Sequence, residues 1–192
     1  MIRLAAVLVA GVLAPAASGP PPWRAPANPM ALTRQARLIP ETHEFVFLHV
    51  HSHLDVFVNG KKVLVPAGIG IDTKAPAVRR YKAPDGSTGY GGISPPCAKP
   101  CISPLHTHFD DGVLHTEAKK HEFNRLGQFF IEWKVRLNAK CVGGFCKPAK
   151  KIAVYVDGDR YTGDPRAIEL KDKREIAIVI GKPPDHIPSK FP

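Results

Sequence analysis

The sequence predicts an α+β fold: a mixed sheet with one short helix packed on a face and a long Pro/Gly-rich insertion. Three observations carry this. Residues 46–58 read V-F-L-H-V-H-S-H-L-D-V-F-V, rich in β-branched and aromatic residues and alternating with period two, the pattern of a strand. Asn59-Gly60 follows at once, a hairpin signal because both central positions of a two-residue turn need positive φ. Residues 124–133 instead set Leu126, Phe129, Phe130 and Trp133 at i, i+3, i+4 and i+7, the apolar stripe of a short helix.

The 192 residues suit one domain with extensions. Arg3, an apolar run from Leu4 to Ala14 and small residues up to Ser18 predict a signal peptide over 1–18. The run is too short to span a bilayer, and nothing else in the chain reads as a transmembrane helix. Residues 19–43 are Pro/Ala-rich without periodicity and read as a linker. The domain is expected over 44–181. Its first hairpin returns over Lys61–Pro66, and residues 72–104 form the irregular insertion. Leu105–His108 and Val113–Glu117 predict a second hairpin, and Asn124 is the expected N-cap of the helix. Lys151–Asp157 alternates as a strand. Arg174–Ile180 is nearly continuous in apolar residues and reads as a strand buried on both faces. The tail, 182–192, holds four prolines and is expected to be extended or disordered. A helix on one face of a mixed sheet is the layer solution, here β-grasp-like.

The net charge of +10 favours anionic surfaces or partners. The Lys and Arg residues are dispersed, though, and no nucleic-acid motif accompanies them. Neither G-x-S-x-G nor a nucleotide loop occurs, which turns the reading away from hydrolase and nucleotide chemistry. Cys97, Cys101, Cys141 and Cys146 are an even set, read as two disulfides in an oxidising compartment, with three pairings open.

Six of the nine histidines fall in two motifs, His49-x-His51-x-His53-x-Asp55 and His106-x-His108 followed by His115 and Glu117. Residues i, i+2 and i+4 share one face of a strand, so His49, His51, His53 and Asp55 line one face and Val50, Leu54, Val56 and Val58 the other. A two-residue turn at Asp111-Gly112 would set His108 opposite His115 and His106 opposite Glu117. A three-residue turn would send His115 to the other face. Clustered imidazoles suit a transition metal, copper or zinc foremost. The candidate ligands are His51, His53, His106, His108 and His115, with Asp55, Asp110 and Glu117 as ligands or orienting partners. Two alternatives stand beside metal binding. One is a secreted structural or interaction module whose histidines form a hydrogen-bonded network. The other is a metal-dependent enzyme with Asp110 as base.

The segments H-V-H-S-H-L-D-V-F-V-N-G, C-I-S-P-L-H-T-H-F-D-D-G-V-L-H-T-E, L-G-Q-F-F-I-E-W and V-Y-V-D-G with G-D-P-R-A-I-E-L-K resemble a family of exported or membrane-tethered prokaryotic proteins. The resemblance covers about 49–181 and implies an extracytoplasmic protein, but no particular activity. The family pattern keeps His51, His53, His106, His108 and His115, and Cys101 fits its single cysteine. Cys97, Cys141 and Cys146 are additions in this chain. A weaker similarity to β-grasp sulfur carriers rests on V-Y-V-D-G and L-K-D-K-R-E-I-A-I-V-I. It implies fold only, since those carriers end in Gly-Gly.

Overall fold

A computed structural model describes residues 19–192, so the expected signal peptide lies outside the described residues. The 19–43 segment is more than a linker. It contains helix α1 (Pro29–Gln35), started by Pro29, whose fixed φ suits a first turn, and it buries Trp23, Leu32 and Ala36. The long strand β1 (Leu48–Val58) turns through Asn59 and Gly60, at φ of 50° and 81°, into the short β2 (Lys61–Val63). The 72–104 insertion is partly regular. It holds its own hairpin, β3 (Arg79–Lys82) and β4 (Thr88–Gly91), and the Cys97–Cys101 disulfide. That disulfide packs with Ile71, Val78, Ile93 and Ile102 as a small separate core, which staples a segment otherwise poor in sheet contacts.

Strands β5 (Leu105–His106) and β6 (Val113–Ala118) form the second hairpin. Helix α2 (Leu126–Glu132) follows. Its flanking residue is Arg125 rather than Asn124: the Arg125 N–H donates to Gln128 Oε1 at 2.8 Å, while the buried Asn124 side chain donates to Thr116 Oγ1. The helix stops where Lys134 turns left-handed at φ 60°, with N–H groups of Lys134 and Val135 closing on the carbonyls of Ile131 and Phe130. A small ribbon, β7 (Cys141–Val142) and β8 (Phe145–Cys146), carries the second disulfide, Cys141–Cys146. Strands β9 (Ile152–Val156), β10 (Asp159–Tyr161) and β11 (Glu175–Ile180) complete the fold, every residue of β11 being buried as its apolar run predicts.

The main sheet runs β10-β9-β11-β1-β6-β5, with β2 beside the far half of β1. Strands β1 and β11 are parallel and all other neighbours antiparallel. The path β10-β9-β11-β1-β2, with a helix between its two hairpins, is β-grasp-like. The fold is thus a mixed α+β sheet with two α-helices among the described residues, one more than the sequence predicts there. One face packs Leu54, Val56, Leu114, Ile176 and Ile178 against Phe129 and Phe130 of α2 and Trp133 just past its end, closed by Trp23. Each such fully buried side chain contributes about 1.5–3 kcal/mol. The indoles of Trp23 and Trp133 meet edge-on, centroids 5.6 Å apart.

The second face holds Phe57, Ala177 and Val179, and Ile187 of the tail packs on them. The Pro-rich tail is therefore extended and docked, because the second face of the central strands is apolar and needs a cover. Strand β1 is longer than this core requires. Its far half, from His53 on, pairs with β11, and its near half, Leu48 to His53, pairs with β6. The histidines sit on that near half.

Candidate metal centre

The period-two geometry of β1 delivers what the sequence promised: His49, His51 and His53 share a face, with Ser52 and Leu54 buried on the other. Strand β6 is registered so that His51 pairs with His115 and His49 with Glu117. Strand β5 then sets His106 directly opposite His115. The two histidine motifs thus meet on one face.

The register of the second hairpin differs from both turns weighed in the sequence. It is shifted by two residues from the two-residue turn, which keeps His106 and His115 on the same face but pairs them with each other. The strand stops at His106 because Thr107 turns inward. The Thr107 hydroxyl donates to Pro66 O and accepts from the Ile69 N–H, and its own N–H bonds Ile69 O. His108 is carried out of the ladder to lean on β4.

His106, His108, His115 and Glu117 each offer one ligand atom within 4.8 Å of the others. The His106 Nδ1–H donates to Ser103 O at 2.8 Å, and the His108 Nδ1–H donates to Tyr90 O at 2.6 Å. Both rings are thereby fixed with Nε2 turned inward, and these two nitrogens stand 3.3 Å apart. Glu117 Oε1 is 3.8 Å from each of them and 3.5 Å from His115 Nδ1. Backbone carbonyls that hold the outer nitrogen are the usual orienting partners of metal-binding histidines. Tetrahedral zinc with Zn–N near 2.0–2.1 Å would space its ligand nitrogens about 3.3–3.4 Å apart. His115 Nδ1 and Glu117 Oε2 are buried without hydrogen-bond partners.

Burial grades across the cluster. The His106 side chain is wholly buried, those of His108 and His115 are 14% and 16% exposed, and that of His49 is 39% exposed. Burial, with His108 adjacent, pushes the His106 pKa down to about 3, so this ring stays neutral at any ordinary pH. Burial also disfavours a charge on His108, but Glu117 and the Tyr90 carbonyl outweigh it and raise its pKa. His115 and His51 are lowered, mainly by burial. Burial opposes charge on Glu117 too, yet the surrounding rings, His108 and His115 first, hold it well below the usual carboxylate range.

His53 leaves the group. Its Nδ1 is 2.7 Å from Glu175 Oε2 and its Nε2 2.9 Å from Asp111 O, so both nitrogens face acceptors and both are engaged as donors. Burial opposes a charge on this ring, but Glu175 overcomes it and raises the pKa. Asp55 stands with this second group, paired to Lys62 at 2.6 Å, and Phe191 of the tail lies against the His53 ring. Asp110 sits in the turn before β6 and belongs to neither group. Sequence reasoning placed His49 on the right face but left it out of the ligand set. The structure puts its Nε2 3.2 Å from Glu117 Oε1 and groups it with His51 and His115. The Ser103 and Tyr90 carbonyls, which fix two of the rings, carry no side-chain signal that a sequence could show. Gly91 is a further hidden part: a Cβ there would stand 2.5 Å from His108 Nδ1.

The fold and this cluster define a class: a β-grasp-like α+β domain with three imidazoles and a carboxylate gathered on one face of its sheet. The two disulfides fit an oxidising compartment, and no helix among the described residues is long and apolar enough to cross a membrane. No protein-family model, curated protein or solved structure matches the chain.

Proposed function

We propose that this protein binds a transition metal, copper or zinc, outside the cytoplasm, through His106, His108, His115 and Glu117. The observation that carries the reading is the pair of inward Nε2 atoms at 3.3 Å, each on a ring whose other nitrogen already donates to a carbonyl. Two such neutral rings present lone pair to lone pair, beside a carboxylate. That arrangement is unfavourable empty and favourable around a cation. The family resemblance and the apolar N-terminal run support the extracytoplasmic location, as do the disulfides.

A proton is the competing occupant. The raised pKa of His108 favours a hydrogen-bonded network in which a charged His108 donates inward to His106 and Glu117. Elemental mass spectrometry of untagged mature protein separates the two, beside a His106→Ala/His108→Ala variant. Near-stoichiometric copper or zinc, lost in the variant, is the expected result. Protein that holds no metal, and takes up none in titration above pH 7, would leave the proton as sole occupant and overturn the metal reading.

A further inference from the structure

The histidines enter three candidate ligand groups, of which two share a residue; the third, His53 with Asp55 and Glu175, stands apart. His106, His108, His115 and Glu117 make the inner group, and His49, His51 and His115 make an outer one whose ligand atoms also lie within 4.8 Å of each other. The two groups overlap at His115. The outer pair is the more exposed: His49 stands at the rim and His51 is half-buried, whereas His106 at the far end has no solvent contact. The rings are in continuous contact along the way. His49 and His51 have centroids 4.7 Å apart, His51 and His115 4.5 Å, and His115 and His108 4.3 Å. The two sets also differ in charge. The outer group is three imidazoles, while the inner one adds Glu117, which also stands 3.2 Å from His49 at the rim and whose only ion-pair neighbours among the described residues are histidine rings.

We propose that His49, His51 and His115 are a loading site, which takes a zinc or copper ion from solvent and passes it to the inner group by ligand exchange at the shared His115. The proposal rests on the metal reading above. In the transfer the ion keeps His115, releases the lone pairs of His49 and His51, and gains the Nε2 atoms of His106 and His108 and the carboxylate of Glu117. No electron moves, and a proton carried by His108 leaves to water. The direction follows from charge and burial. A carboxylate with no fixed cation beside it attracts a divalent ion more strongly than neutral imidazoles do, and more so away from water. An ion that reaches the wholly buried His106 must shed hydration water on the way. The outer imidazoles replace part of that water one step earlier.

The test uses the mature full chain and zinc sulfate alone as probe, with uptake followed by stopped flow from a weak chromophoric chelator. His49→Ala/His51→Ala is expected to hold one zinc at equilibrium with an affinity within about tenfold of the unaltered protein. Its uptake is expected to slow by on the order of tenfold or more. His106→Ala/His108→Ala is expected to purify without metal and to take up added zinc only weakly, with rapid exchange, on the outer group. Uptake by the outer variant at the unaltered rate would overturn the loading site while leaving the inner site standing. Loss of zinc from the outer variant at equilibrium would also overturn it, since the histidines would then be one undivided site. An unaltered protein that binds neither zinc nor copper would remove the metal reading itself, and the loading site with it.

Discussion

Glu132 is the most exacting test of how this interior is held. It lies on α2 with no solvent exposure, and Thr33 of α1 donates its hydroxyl to Glu132 Oε1 at 2.8 Å. Oε2 has no partner. Burial drives its pKa up to about 8, and the Thr33 and Ser103 hydroxyls, which favour the charged form, offset only part of that. The Thr33 hydroxyl has one hydrogen and two acceptors within reach, Glu132 Oε1 and Pro29 O. A protonated Glu132 resolves the conflict by donating to Thr33 itself. Because the folded pKa lies above the ordinary value of 4.5, the contribution to stability is complete below pH 4.5 and is lost as pH rises through about 8. Between pH 5 and pH 8.5 the loss is on the order of 4 kcal/mol, at 1.36 kcal/mol per unit.

Glu132→Gln keeps the shape and stays neutral throughout. Urea unfolding of metal-free protein with disulfides intact, at both pH values, reads the difference between the two chains. With an m of about 2 kcal/mol/M, the midpoint of the unaltered protein should fall relative to the variant by about 2 M. The comparison cancels other titrating groups, His53 and Glu175 among them. A difference between the chains that is the same at both pH values would refute the reasoning, since Glu132 would then carry its charge inside the fold.

The proposed metal site yields two further expectations. Zinc binding should release protons at about pH 6 and fewer at about pH 8.5, with affinity rising over that range, because the raised pKa of His108 makes zinc compete with a proton there. Calorimetry in buffers of different ionisation enthalpy measures this, and an affinity independent of pH would contradict it. Gly91→Ala should push the His108 ring off the Tyr90 carbonyl, since the new Cβ meets Nδ1 at 2.5 Å, and weaken zinc by about 10–100-fold. A competition titration with no change in affinity would show that this carbonyl does not orient the ring.

Much of this was legible because strand periodicity is a strong local signal. The alternation of β1, the Asn59-Gly60 turn and the stripe of α2 each follow from residues within one segment. The second hairpin was legible but its register was not, because that depends on Thr107 bonding to Pro66 and Ile69, partners some forty positions away in sequence. The same holds for α1. Seven residues are too few for a periodic pattern, and what fixes α1 is its packing on α2, where Thr33 reaches Glu132. His53 looked like its neighbours His49 and His51, but β11 places Glu175 beside it and turns it into a buried ion pair. What a strand neighbour contributes is invisible until strand order is known.

The division of β1 between core and histidines has an evolutionary consequence. One continuous strand sets the phase of both, so the spacing of the imidazoles cannot drift by a single residue. An insertion between Ser52 and Leu54 would rotate the near half by one pleat and turn His49 and His51 toward the side of the apolar layer. The candidate metal site is open to change through the segments that carry Ser103 and Tyr90, which lie outside the main sheet. The strand itself is locked, for its far half answers to the apolar layer it shares with β11.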